Sequence, residues 1–191
     1  MTVRKRRTAD EARAIILEVA ARRLRDEGLE GLNITGVAEE AGISHATLIH
    51  HFGSSGGMRD ALADKMTLDL VQDLVAAFDE QVSPSELTRR VFDALAEGGH
   101  AKLLAWRAVE GDGPSGDVTA VTEMFGELLN KTQSALGVDN RLEAQRAAYL
   151  VATAAIGFGL AGPVLGQALG MNDEQLKSFP EWVSEHIELH N

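Results

Sequence analysis

Apolar positions along the chain fall into helical stripes from the start. Ala12, Ile15, Ile16, Val19, Ala20 and Leu24 recur at steps of three and four, the spacing of one helix face. Thr8 precedes the stripe and Glu11 follows three residues later, so the two can close a capping box; Gly28 is a stop. Val37, Ala38 and Ala41 predict a shorter helix over 33–41, which Gly42 breaks, and Ser44 can cap a third over 44–51. Gly53-Ser54-Ser55-Gly56-Gly57 reads as a flexible joint. Leu62, Met66, Leu70, Leu74 and Phe78 then recur every four residues and predict a long helix over 58–81. Ser83-Pro84 opens the next, since proline suits a first helical turn. Further helices are expected over 85–97, 100–109, 118–136, 141–170 and 173–189. No stretch alternates in the way a strand does. The expected fold class is therefore all-α: a three-helix N-terminal domain over 1–53 and a larger helical domain over 58–191.

Charge changes this picture more than composition does. The formal net charge is −11, which argues against a nucleic-acid partner at first sight. Residues 1–60, however, hold nine Lys/Arg and nine Asp/Glu, so the acidic excess lies wholly beyond them. A neutral head with a basic arm, Arg4-Lys5-Arg6-Arg7, can approach phosphate although the body repels it. The absence of cysteine excludes disulfides and Cys-based zinc sites. Thr8-Ala9-Asp10-Glu11 follows the basic arm where a secretory signal would turn apolar, so a cytoplasmic location is expected. Residues 147–169 form the most apolar segment, but Gly157, Gly159, Gly162, Pro163 and Gly166 interrupt it. It reads as a helix buried between other helices, with no membrane partner.

The segment that carries function runs from Leu32 to Phe52. Two short helices flank a tight turn at Gly42-Ile43, with small Ala38 where they cross and Ile43, Leu48 and Phe52 turned inward. Ser44, His45, Ala46, Thr47 and His50 are left outward at the start of the second helix, the geometry of a helix-turn-helix that enters a major groove. The stretch 12–52 resembles the tetracycline-repressor (TetR) family of bacterial transcription regulators. The matching residues are Ile15, Ile16 and Ala20, then Gly28 and Val37-Ala38, and finally Ala41-Gly42-Ile43-Ser44, Thr47-Leu48 and His51-Phe52. The resemblance implies that Ser44, His45, Ala46 and Thr47 begin the recognition helix. It also implies that Thr35 and His51 contact phosphate, and that His50 contacts a base or phosphate. His45 is the polar residue placed to read a base edge. Two departures stand out. The family usually has tyrosine after the Thr-Leu pair, where this chain has Ile49, and a lysine near positions 55–57, where it has none.

The resemblance further implies double-stranded DNA as partner, a small-molecule effector bound in the C-terminal domain, and a homodimer acting as repressor on a pseudo-palindrome. Phe92, Leu103, Trp106, Arg107, Met124, Phe125, Leu128, Tyr149 and Phe158 are candidates to line the effector cavity. Ala148, Ala152, Ala155, Gly159 and Gly162, small enough for a close helix approach, are candidates for dimerisation with Trp182, Val183 and Ile187. No nucleophile elbow, phosphate loop or convergent acid–base set is visible, so neither an enzyme nor a cofactor is expected. His50 and His51 point about 100° apart on a helix and do not suit one metal ion. The alternative is a helical ligand-sensing or protein-interaction module whose DNA binding is weakened or lost.

Overall fold

The computed structural model describes residues 8–110, 118–137 and 140–188, so the basic arm at 4–7 lies outside the described residues. Helix α1 spans Ala9–Glu27, α2 Ile34–Ala41, α3 His45–Phe52 and α4 Ser55–Asp79. Helix α5 spans Pro84–Phe92, α6 His100–Glu110, α7 Val118–Leu136 and α8 Arg141–Ala168, with α9 (Asp173–Lys177) and α10 (Phe179–Glu188) last. There is no strand among the described residues, and the fold is all-α.

Local chemistry sets most of the boundaries. Thr8 and Glu11 close the capping box of α1, Asn33 caps α2, and Ser83 caps α5 with Pro84 in its first turn. Three boundaries differ from the sequence reading. Helix α4 starts at Ser55, because the Ser54 hydroxyl accepts the Gly57 amide at 2.9 Å and caps it there. The supposed flexible joint is therefore largely a helix turn. Helix α5 gives way to a π-helical turn over Asp93–Glu97. The last predicted helix is two, broken at Ser178, with Pro180 in the first turn of α10.

The head packs around one apolar cluster. Ile16, Ala20 and Leu24 of α1 meet Val37 and Ala38 of α2, Leu48 of α3, and Met58, Leu62 and Ala63 of α4. Leu103 of α6 is fully buried in the same cluster. The packing of the head thus runs past residue 53 into α4, and takes in one helix from far along the chain. Two further clusters hold the body. Phe92, Leu95, Ala155 and Val183 join α5, α8 and α10, whereas Val71, Leu74 and Leu128 join α4 to α7. Helix α4, about 37 Å long at the usual rise per residue, contributes to the head at its start and to the body at its end.

Helix α8 does not match its expected burial. Its best 18-residue window has a mean hydropathy of 1.7, long and apolar enough to cross a membrane, yet only 11% of that window is buried within the chain. Leu142, Tyr149, Leu150, Leu160, Val164 and Leu165 lie exposed along it, Tyr149 at 72% and Val164 at 70%. The small residues turn the other way. Ala155 is fully buried, and a Cβ on Gly159 would lie 2.8 Å from the Ala96 Cα and 3.0 Å from the Ala101 Cβ. Gly162 lies against the Phe158 ring. Of the residues expected in the dimer stripe, Ala155 and Val183 are buried in the body core, and Gly159 sits where only a small residue lets α8 approach the π turn and α6 so closely.

Candidate nucleic-acid interface

The tip of α3 is built from the turn before it. Gly42 takes a left-handed conformation (φ 68°) that ends α2, and the Ile43 amide donates back to the Ala38 carbonyl at 3.0 Å. This reverses the chain tightly enough for Ser44 to cap α3, its hydroxyl oxygen accepting the Thr47 amide at 3.1 Å. The Ser44 and Thr47 hydroxyls also bond each other at 2.8 Å. Both residues are thus partly committed to holding the helix start. His45, Ala46 and His50 are exposed, Thr47 and His51 half-buried, and Leu48 and Phe52 buried beneath them. Of the sequence-predicted contacts, Ser44, His45, Ala46, Thr47 and His50 share one surface at this tip. Thr35 is exposed in the first turn of the neighbouring α2.

The other end of α3 is anchored by a residue the sequence reading did not single out. Arg13 of α1 donates to the His51 carbonyl at 2.9 Å, and its guanidinium lies 4.4 Å from the centre of the Phe52 ring. No spacing rule joins positions so far apart in sequence, so only the fold reveals the pair. Between α1 and α2, Arg22 meets Glu40 at 2.6 Å and Arg23 meets it at 3.3 Å. Hydrogen bonds from Arg22 and then Arg23 hold the Glu40 carboxyl below its ordinary range. That keeps the carboxylate at the end of α2 matched by cations, although the pair is too exposed to stabilise much.

Within 55–57, the stretch where the resemblance would lead one to expect a lysine, Gly57 is a close backbone approach. A Cβ on Gly57 would lie 2.1 Å from the Phe52 carbonyl oxygen, so the α3–α4 turn closes only with glycine there. The next basic residue, Arg59, is taken up against the head core, its guanidinium 5.1 Å from the Trp106 ring centre and within reach of the Leu29 carbonyl. Ile49 is half-buried.

The candidate effector residues do not converge on one space. Phe92 and Phe158 meet edge-on at 5.6 Å in the body core, Phe179 stacks on Phe158 at 5.7 Å, and Trp182 continues the stack at 5.9 Å. Met124 and Leu128 belong to the α4–α7 cluster, and Leu103 belongs to the head. Trp106 donates to Glu110 at 2.9 Å, and Arg107 is paired with Asp64 at 2.6 Å. Phe125 and Tyr149 are exposed. A groove of about 310 Å³ lies elsewhere, between α1 and α4, walled by Arg22, Arg25 and Lys65 over Leu62 and Met66.

Comparison with known proteins agrees with this geometry. Residues 16–62, from the middle of α1 into α4, match the model of the bacterial regulatory proteins of the tetR family. No curated protein sequence matches the chain. Solved structures resemble it over nearly its whole length. One, described as the molecular basis for control of antibiotic production by a bacterial hormone, is 20% identical, covers 93% of this chain and 97% of its own, and has a TM-score of 0.63. A structure from Mesorhizobium loti assigned to the TetR-family transcriptional regulators is 17% identical, covers 96% of each chain, and has a TM-score of 0.61. FadR from Bacillus subtilis, solved in complex with stearoyl-CoA, is 16% identical, covers 91% of this chain and 96% of its own, and has a TM-score of 0.54. Identities this low speak for a shared fold rather than a shared ligand.

Proposed function

The N-terminal domain belongs to the TetR family of bacterial transcription regulators, and on that premise we propose that the whole chain is a homodimeric repressor released from a palindromic operator by a small molecule. The observation that carries this reading is the exposed tip of α3, capped by Ser44 and presenting His45, Ala46 and His50 above the packed core of the head. A helix start of this kind offers side chains to base edges while Thr35, His51 and the basic arm 4–7 meet phosphates. Phosphate contacts give affinity without sequence information, and His45 supplies the discrimination.

The exposed face of α8 supports the dimer. A one-sided apolar strip on a helix whose other side packs into the body fits a second copy better than lipid, and Trp182 at 51% exposure extends it from α10. Two heads held about 34 Å apart can then meet successive turns of one groove. The effector acts by favouring a head spacing that does not fit the duplex; a coupling of about 1–3 kcal/mol changes affinity about 5–150-fold. The stearoyl-CoA held by the B. subtilis neighbour supports a body that can take an effector. The protein then works without catalysis, in the cytoplasm where its DNA lies.

Selection of bound fragments from a random duplex library, at low and moderate salt, tests this reading. Recovery of two inverted half-sites at a fixed separation is expected. Binding with no sequence preference would leave the rival, an interaction module that has lost DNA binding, for which Ile49 and the absence of lysine at 55–57 speak.

A further inference from the structure

The seam between α4 and α6 holds charges that the reading above does not use. Arg107 of α6 reaches Asp64 of α4 at 2.6 Å and lies 3.6 Å from Asp60, one helical turn earlier on the same face of α4. The Asp60 side chain is 6% exposed and that of Arg107 is 16% exposed, so both charges are largely out of water. One residue before this pair, the Trp106 ring receives the guanidinium of Arg59, whose Nη2 also donates to the Leu29 carbonyl of the head at 3.4 Å. The Arg59 Nε is buried without a hydrogen-bond partner, so that side chain is held by its contacts and not by a full set of donors. At the start of α6, Leu103 sits in the head core, while Ala101 lies against Gly159 of α8. Helix α6 therefore touches the head on one side and α8 on the other.

An ion pair shielded from water is a poor source of stability but a good marker of register. Arg107 hydrogen-bonds Asp64 and faces the buried Asp60 carboxylate as a charge partner at 3.6 Å, and both contacts depend on the register of α4 against α6. Sliding or turning α4 against α6 by one residue breaks the Asp64 bond and draws the guanidinium away from the buried Asp60 carboxylate, which costs electrostatic energy. We propose that Arg107 is a positioning residue: by clamping α4 to α6, and through α6 to α8, it sets the distance between the two heads of the dimer and hence the half-site spacing the protein accepts. This rests on the paired-head reading above and adds to it the residue that fixes the geometry.

The test compares the full-length protein with Arg107→Met, which keeps the length of the side chain but removes its charge, and with Arg107→Lys and Asp64→Asn. Affinity is measured at low salt for the selected palindrome, for the same palindrome with one or two base pairs added or removed between half-sites, and for a single half-site. A lone half-site engages one head and is indifferent to spacing. The expected result for Arg107→Met is a loss of tenfold or more on the selected palindrome, a flattened preference among spacings, and half-site affinity within twofold of the wild type. Arg107→Lys restores part of the spacing preference, and Asp64→Asn reproduces the pattern without deepening it when combined with Arg107→Met. Equal loss on half-site and palindrome, as simple destabilisation would give, overturns the proposal, and so does an unchanged spacing profile. Should Arg107→Met fail to fold by circular dichroism, Asp64→Asn alone decides, since its side chain lies at the edge of the seam at 35% exposure. A wild-type protein that selects no paired site removes the underlying reading, and the proposal falls with it. That outcome is seen before any variant is made.

Discussion

Lowering the pH from 7.5 to 5 should cost this protein about 2 kcal/mol of stability through one side chain, His100, by linkage between its ordinary value of 6.5 and a folded value of about 4. The ring is 2% exposed at the start of α6, with Nε2 3.1 Å from the Thr67 hydroxyl and a bond to the backbone of Ala63, both on α4. Burial penalises the charged ring and pulls its pKa down, outweighing the Ala63 bond that raises it. Because the folded pKa is depressed, the unfolded chain binds the extra proton first as pH falls. The contribution is complete above pH 6.5, shrinks as pH drops, and is gone near pH 4, where about 3 kcal/mol has been lost in all. Urea unfolding at fixed protein concentration, at pH 7.5, 6 and 5, gives the stability directly. The same series on His100→Asn supplies the reference, since every other titrating group contributes alike to both proteins and cancels. The gap between wild type and variant should narrow by about 2 kcal/mol between pH 7.5 and 5. A gap that stays constant across that range would refute the claim that the ring is buried neutral in the seam.

Gly57→Ala places a methyl group 2.1 Å from the Phe52 carbonyl; forcing the α3–α4 turn apart should cost about 1–3 kcal/mol, and an unchanged melting temperature would contradict the close approach. Ser44→Ala removes the α3 cap and should cost about 1 kcal/mol, read by thermal melting. His45→Ala should relax preference at one base position by about 1–3 kcal/mol in the library selection, with other positions unchanged. Val164→Glu puts a carboxylate on the exposed strip of α8 and should shift the protein from dimer to monomer in sedimentation, leaving the helical signal intact.

The sequence exposed the features whose causes are local. Thr8, Ser44 and Ser83 act on amides within the next turn, so a reader of the chain can place their helices closely. The same holds for the outward tip of α3, since Leu48 and Phe52 leave only one side of so short a helix for solvent. Glycine was ambiguous: at Gly57 a residue that can signal freedom signals crowding instead, and only the position of the Phe52 carbonyl distinguishes the two. Helix α8 carries apolar residues on both sides, so its stripe does not reveal which side the body takes. The small side went inward because the π turn and α6 lie so close to it. Asp60, Asp64 and Arg107 were individually visible, but their meeting depends on α6 returning to α4, and that long-range pairing leaves no local trace.

The bare strip on α8 has a genetic consequence. In the proposed dimer, pairing across Tyr149 and Val164 would take no account of what lies at the tip of α3, because the two surfaces belong to different parts of the molecule. A subunit altered only at His45 or Ser44 would still partner an intact one, and each mixed pair would grip half an operator. Such an allele should behave as dominant when expressed beside the normal gene, whereas one that also loses the α8 strip should be silent.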